Sequence, residues 1–347
     1  MPIRALVAGL SVLALGSGTA CSATPSALPT PTPSVKPALT APTTPAAPRA
    51  AISVPAAQQE LQRFVAVRNR AETTYDDSLV RTVAAGSLLT QRLAAHKVNR
   101  VLKRKPRPLA LDVPFVGTTP AATYPMRFIT EAPSSSPGGN IVGLAERRTA
   151  GSPWRWTYSL NLGWESIGQS LGGPDGRSLE NSSSLRPAAQ ADFDRLTATP
   201  TKAVAILCRY LSSGTTASVG KRLAFSGSAR QYTEYYRGRI APAAKSGDLA
   251  RDTVAVPVGK PVALHTASGV DLVFVTVKVV YVMTVPANRR SRWTGGAAFA
   301  LAPKGHGYRN FLTATELLQV VLVLPPKGQG VSRVVGIEAQ TVAARGS

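Results

Sequence analysis

The apolar positions of this chain change period twice in each half. Leu61, Phe64 and Val65 recur at helical spacing with Arg68 on the same face, and a second helical piece runs from about Ser78 through Val83, Leu89 and Leu93. A period of two then takes over, and residues 126–131, 140–148 and 153–165 read as short strands parted by Pro, Gly and Ser. In the last of these, Trp154, Trp156, Tyr158, Leu160, Leu162 and Trp164 alternate with Arg155, Thr157, Ser159, Asn161, Gly163 and Glu165. That alternation predicts a sheet with one buried face and one wet face. After a Gly-, Ser- and Asn-rich stretch at 168–185 the order repeats. Helical spacing returns at 193–196, at Val204, Leu207, Cys208 and Leu211, and around Tyr232, Tyr235, Tyr236 and Ile240. Strands follow over 261–266, 271–285, 293–301, 317–324 and 331–342. Val273, Val275, Val277, Val279, Tyr281, Met283 and Val285 form one apolar face, and a strand that long implies a strongly curved sheet. The pattern predicts an α+β chain of two tandem helix-then-curved-antiparallel-sheet domains, over 55–168 and 187–345.

The first fifty residues follow different rules. Arg4 precedes an apolar run from Ala5 to Leu15 and the small residues Gly16 to Ala20, the order of a secretory signal peptide over 1–20. About eleven apolar residues are too few for a permanent membrane-spanning helix. Gly18-Thr19-Ala20-Cys21 resembles a bacterial lipobox, with Gly18 where Leu or Val is usual, and the resemblance implies that Cys21 becomes the lipidated first residue. Residues 21–51 form a Pro- and Thr-rich tether with Pro25, Pro29, Pro31, Pro33, Pro37, Pro42, Pro45 and Pro48. This composition favours polyproline II, which at ~3.1 Å per residue reaches some ~90 Å at full stretch. The expected location is the outer face of the cytoplasmic membrane, with plain secretion as the alternative.

Charge adds a partner class. The 347 residues carry 40 Lys and Arg against 18 acids, a net +22 that becomes +21 when Arg4 leaves with the leader. Such an excess attracts anions through its long-range field. Lys97, Arg100, Lys103, Arg104, Lys105 and Arg107 form a run with no acid inside it, and Arg289, Arg290 and Arg292 a smaller one. The first run is the candidate surface for an anionic partner, although a charge run also serves simply as a solvated face. For an exported chain the available anions are phospholipid headgroups and anionic cell-wall polymers. The export signal and the lack of any nucleic-acid reading module argue against specific nucleic-acid binding.

The motifs of enzyme chemistry are thin. Gly168-Gln169-Ser170-Leu171-Gly172 matches a nucleophile elbow, but Gly173-Pro174-Asp175-Gly176 leaves no room for the helix that must follow. Ser218-Val219-Gly220-Lys221 matches the Ser-x-x-Lys of penicillin-recognising enzymes without its companion elements. His96, His265 and His306 show no metal-ligand spacing, so neither a metal nor a cofactor is expected. The adjacent pair Asp76-Asp77 diverges on a helix and suits capping ahead of Leu79. Cys208, left alone once Cys21 is modified, sits among apolar residues as a buried thiol. The stripe Trp154, Trp156, Tyr158 and Trp164 has two readings, a core face or an aromatic face for stacking sugars or bases.

The Cys21 box, the Thr/Pro stalk, the block Arg68-Asn69-Arg70-Ala71 with Leu79 to Gly86, and the closing Leu324-Pro325-Pro326-Lys327-Gly328 together resemble a family of lipoproteins of unknown function from high-GC Gram-positive bacteria. The paired helix-then-sheet halves also resemble the cone-shaped rolls of nuclear-transport-factor-like and cystatin-like folds, which host enzymes and scaffolds alike. The expected function is a non-enzymatic envelope lipoprotein that binds an anionic envelope component or another exported protein. The alternatives are an exported serine hydrolase using Ser170 or Ser218, and a lipid or small-ligand carrier.

Overall fold

A computed structural model describes residues 50–112, 114–121, 124–136, 138–167, 185–213, 219, 222–234, 250–284, 296–301 and 311–346. The leader, Cys21, Ser170, Ser218, Arg289, Arg290, Arg292 and His306 lie outside these residues. The fold is α+β, and the described residues form one compact unit. The expected tether reached residue 51, yet Ala50 already bridges Pro120 and the Ala51 N–H donates to Thr119 O at 2.8 Å.

Helix α1 (Val54–Thr74) starts where Ser53 accepts the Ala56 N–H, with Pro in its first turn. It buries Ala57, Leu61, Phe64 and Ala71, the stripe that the 3.6 period requires. Tyr75 ends it in the left-handed region at φ 51°. Asp76 caps α2 (Asp77–Val83) by accepting the N–H groups of Ser78 and Leu79 at 2.8 and 3.3 Å, and α3 (Gly86–Val101) follows. The first sheet comprises β1 (Ala110–Leu111), β2 (Phe115–Thr118), β3 (Met126–Ser136), β4 (Asn140–Arg147) and β5 (Arg155–Asn161). Its order is β1-β3-β4-β5, with β2 also paired to β3.

The second half contains β6 (Arg186–Pro187), α4 (Gln190–Phe193), α5 (Pro200–Ser213), β7 (Leu223–Phe225), a helical stretch at 227–234, β8 (Ala250–His265) and β9 (Asp271–Thr284). After these come α6 (Gly296–Leu301), β10 (Phe311–Leu324) and β11 (Ser332–Gly346). Its sheet runs β6-β8-β9-β10-β11-β7, antiparallel except for the short β11–β7 pair. The expected strand at 293–301 is corrected: Gly-Ala-Ala-Phe-Ala-Leu at 296–301 is a helix, as its alanines favour. Strand β8 begins at Ala250 and β10 at Phe311, earlier than the strands expected at 261–266 and 317–324.

Both sheets are covered on both faces, except at the outer part of β8 where Val254, Val256 and Val258 are exposed, and this gives four layers. Helices α1 and α2 pack Leu61, Phe64, Val80 and Val83 on Val116, Phe128, Ala145 and Trp156. The opposite face of that sheet, with Ile129, Leu144, Tyr158 and Leu160, meets Leu272, Phe274, Val321 and Val323 of the second sheet. Beyond it, Val273, Val275, Val277 and Val279 pack with Leu207, Tyr210 and Leu211 of α5. Because each sheet is sandwiched, the wet face expected for β5 is corrected: Thr157 and Ser159 are buried.

A β-bulge decides which aromatic goes where. Leu144 pairs with Tyr158 and Ala145 with Trp156, so Thr157 is the extra residue and bonds Leu144 O at 3.2 Å. A regular strand would place Trp156 and Tyr158 on one face. The bulge instead sends Trp154 and Trp156 to the helices and Tyr158, Leu160 and Leu162 to the second sheet. Trp156 stacks on Phe64 at 4.8 Å between centroids and lies over Gly143, where a Cβ would fall 2.1 Å from its ring.

Strand β5 is the sheet edge, and groups from elsewhere in the fold satisfy its outer backbone. Gln319, fully buried, accepts the Ser159 N–H at 2.9 Å and donates to Thr157 O at 3.0 Å. The same amide donates to Ser87 Oγ at 3.2 Å, and Thr276 Oγ1 donates to that hydroxyl at 2.8 Å, joining both sheets and α3. The Ala85 N–H reaches Trp156 O at 2.9 Å and the Ser228 N–H reaches Leu162 O at 3.2 Å. Gln319→Leu strands two buried backbone groups at once and is expected to cost about 3 kcal/mol, whereas Thr276→Val costs about 1 kcal/mol. Urea unfolding at matched m-values checks both; equal midpoints for Gln319→Leu and the parent would remove the amide from the energetics.

Candidate functional site

The basic run forms one continuous feature at the end of α3. Lys97 and Arg100 lie in its last turns, where the helix dipole favours cations. Leu102 closes the helix and tucks against Val98 and Leu301, and Lys103 turns the chain at φ 50°. The following loop is held to α1 by side chains. Asn69 donates through Nδ2 to Leu109 O and accepts the Leu109 N–H at Oδ1, each at 2.8 Å, and the Tyr75 hydroxyl donates to Arg104 O. The left-handed Tyr75 therefore ends one helix while its hydroxyl fixes the loop leaving another.

All six cations of the run are exposed. Arg100 pairs with Asp77 at 3.5 Å, and among the described residues Lys97, Lys103, Arg104, Lys105 and Arg107 have no ion pair. The structure thus gathers the predicted cations onto a pinned backbone with their charge directed at solvent. Such a surface concentrates counter-ions and recognises spacing of charge more than shape.

Beneath the patch lies a buried ionic cluster that sequence reading missed. Arg92 pairs with Glu72 at 3.4 Å, and His96, fully buried, has Nδ1 2.9 Å from Asp77 Oδ1 and Nε2 3.9 Å from Glu72 Oε2. Burial, followed by the neighbouring Arg92, pulls the Arg68 guanidinium down, while burial pushes the Glu338 carboxyl up against the pull of Arg92 and Arg68. The four-residue spacing of Arg68 to Glu72 and of Arg92 to His96 was the available signal. Asp77 joins the cluster from the one acidic pair noted in the sequence, and Asp76 serves as the cap.

A second histidine centre ties β6 and α4 to the β8–β9 turn. His265 Nδ1 lies 2.6 Å from Asp271 Oδ1 and its Nε2 3.8 Å from Asp192 Oδ1, while Arg186 holds both Asp192 oxygens at 2.6 Å. Arg186 first, then the Ala189 N–H, keeps the Asp192 carboxyl well below the usual range against a burial penalty. Burial pushes Asp271 up, offset by its His265 hydrogen bond. Among the described residues no group of three His, Cys, Asp or Glu is placed to hold a metal ion.

The aromatic face is corrected: Trp154, Trp156 and Tyr158 are core, and Trp164 alone is open, at 85% exposure. The bulge and the double-sided covering of the sheet explain the first three, and a turn at Gly163 explains the fourth. Cys208 is a buried free thiol that burial pushes up to about 11.

A family model for a domain of unknown function, DUF8094, matches residues 48–346, and the chain belongs to that family. No curated protein and no solved structure matches it.

Asp192 sets a pH dependence. Its folded pKa is depressed, so its contribution to stability is complete above the ordinary carboxylate value near ~4 and drains away as pH falls toward the folded value. Unfolding free energies measured from pH 7 to strongly acid conditions should therefore converge between the parent and Asp192→Asn as pH drops. A gap that stays constant with pH would refute the linkage.

Proposed function

We propose that this chain is a lipid-anchored envelope protein that binds a phosphate-bearing component of its surroundings, a wall polymer or phospholipid surface, without catalysis. Cys21 supplies the anchor at the outer face of the cytoplasmic membrane, and the Pro- and Thr-rich tether that ends before Ala50 supplies reach. The binding surface is Lys97, Arg100, Lys103, Arg104, Lys105 and Arg107. One observation carries this reading: of five exposed cations without ion pairs among the described residues, Lys97 lies in the last turns of α3 and the other four stand on the following loop, whose backbone is fixed by Tyr75 and Asn69. A solvated face serving solubility alone has no need of a pinned backbone, whereas charges held in place lose less entropy on meeting a polyanion. No described helix is long and apolar enough to cross a membrane, so attachment in this reading falls to the lipid.

The test uses vesicles containing phosphatidylglycerol and, separately, purified anionic wall polymer. Affinity for at least one should fall by about tenfold or more between low and high salt, as screening of exposed charges requires. Lys103→Glu with Arg104→Glu and Lys105→Glu should abolish that binding with little change in the unfolding midpoint, because all three side chains are exposed. Binding that ignores both salt and the charge reversal would overturn the assignment.

A further inference from the structure

A cleft of about 500 Å³ opens at the far end of β5, lined by Gly139, Asn161, Trp164, Gln231, Tyr232 and Glu338 among others. Its rim is built to display Trp164. Asn161 Oδ1 accepts the Gly163 N–H at 2.6 Å and its Nδ2 donates to Gly138 O at 2.9 Å, while Gly163 takes the left-handed φ of 67°. Asn140 holds the other side, its N–H donating to Gly163 O at 2.7 Å and its Nδ2 to Glu165 O at 2.9 Å. Two asparagines thus fix the backbone on either side of an indole that touches almost nothing.

The floor is polar. Glu338 lines it, its carboxyl reached by the Asn161 N–H and neighboured by Arg92 and Arg68. Gln231 is exposed beside it and offers both a donor and an acceptor. Glycines Gly138, Gly139 and Gly163 make up the wall between, so a flat ligand can approach the backbone closely. A lipid chain would want an aliphatic lining, and Ile337 is the single aliphatic side chain of the cleft's described lining. A phosphate would find no Lys or Arg among the described lining residues. What fits is a ring with one apolar face and a rim of hydroxyls.

We propose that this cleft binds a saccharide, with a sugar ring stacked on the Trp164 indole and its hydroxyls hydrogen-bonded to Gln231 and Glu338. The site is separate from the basic loop and its ligand is uncharged, so binding here ignores salt. The purified full chain is titrated calorimetrically with oligomers of β-1,4-linked N-acetylglucosamine, of mannose and of arabinose, at low and at high salt. At least one series should bind, equally in both buffers. Trp164→Ala should weaken it by about tenfold, Trp164→Phe by less, and Gln231→Ala by a few-fold. Trp164 and Gln231 are exposed, so these variants keep the parent's unfolding midpoint. The triple charge reversal of the basic loop leaves saccharide binding intact, which separates this site from the polyanion surface whichever of the two fails. No binding by any of the three series, or binding indifferent to Trp164→Ala, overturns the proposal.

Discussion

An edge strand buried inside a protein must find partners for a row of backbone groups that no neighbouring strand supplies, and that requirement at β5 organises this molecule. Gln319 acts as a surrogate strand there, its amide offering one donor and one acceptor in the spacing of a ladder. Ala85, Glu338 and Ser228 complete the row. Each of these partners belongs to an element outside the first sheet. Meeting the demand of one edge therefore fixes α3, β10, β11 and the 227–234 helix against it, and the apolar layer between the sheets can then close without an orphaned amide at its margin.

Periodicity revealed the element types and most of the strands, because 3.6 and 2 are distinct and the apolar residues are abundant. It placed β4 and β9 almost to the residue and found the odd-numbered valines of β9 as one buried face. It failed where both faces are covered. Thr157, Ser159, Thr276 and Gln319 look solvent-facing in the sequence, yet each is buried in the hydrogen-bond network between layers. A polar residue that satisfies a buried partner is indistinguishable, one residue at a time, from one facing water. The early part of β8 breaks the rule from the other side: Val254, Val256 and Val258 alternate at period two, yet they are exposed.

Charge was legible in outline and illegible in pairing. The run from Lys97 to Arg107 announces itself, and the fold leaves it open. Arg68, Glu72, Arg92 and Glu338 are scattered through the sequence and meet only after α1, α3 and β11 pack, so beyond the four-residue spacing of Arg68 to Glu72 nothing local separates them from surface charges. The outcome is a division of roles. Inward-facing ions pair with one another and lock the helices, while those on the loop stay unspent toward the surroundings. The same logic isolates Trp164, which the alternation assigned to a common face with Trp154, Trp156 and Tyr158 and which the Gly163 turn removes from it.

The extra residue in β5 also acts as a phase marker. Ahead of Thr157 the inward set is read on one parity and behind it on the other, so the two cores on either side of the first sheet share a single strand without competing for its side chains. Loss of one residue at this point would be the structural counterpart of a reading-frame error: every downstream side chain would exchange layers, and Tyr158, Leu160 and Leu162 would be delivered to the wrong core. Descendants of this sequence can therefore vary the chemistry of β5 freely compared with its length.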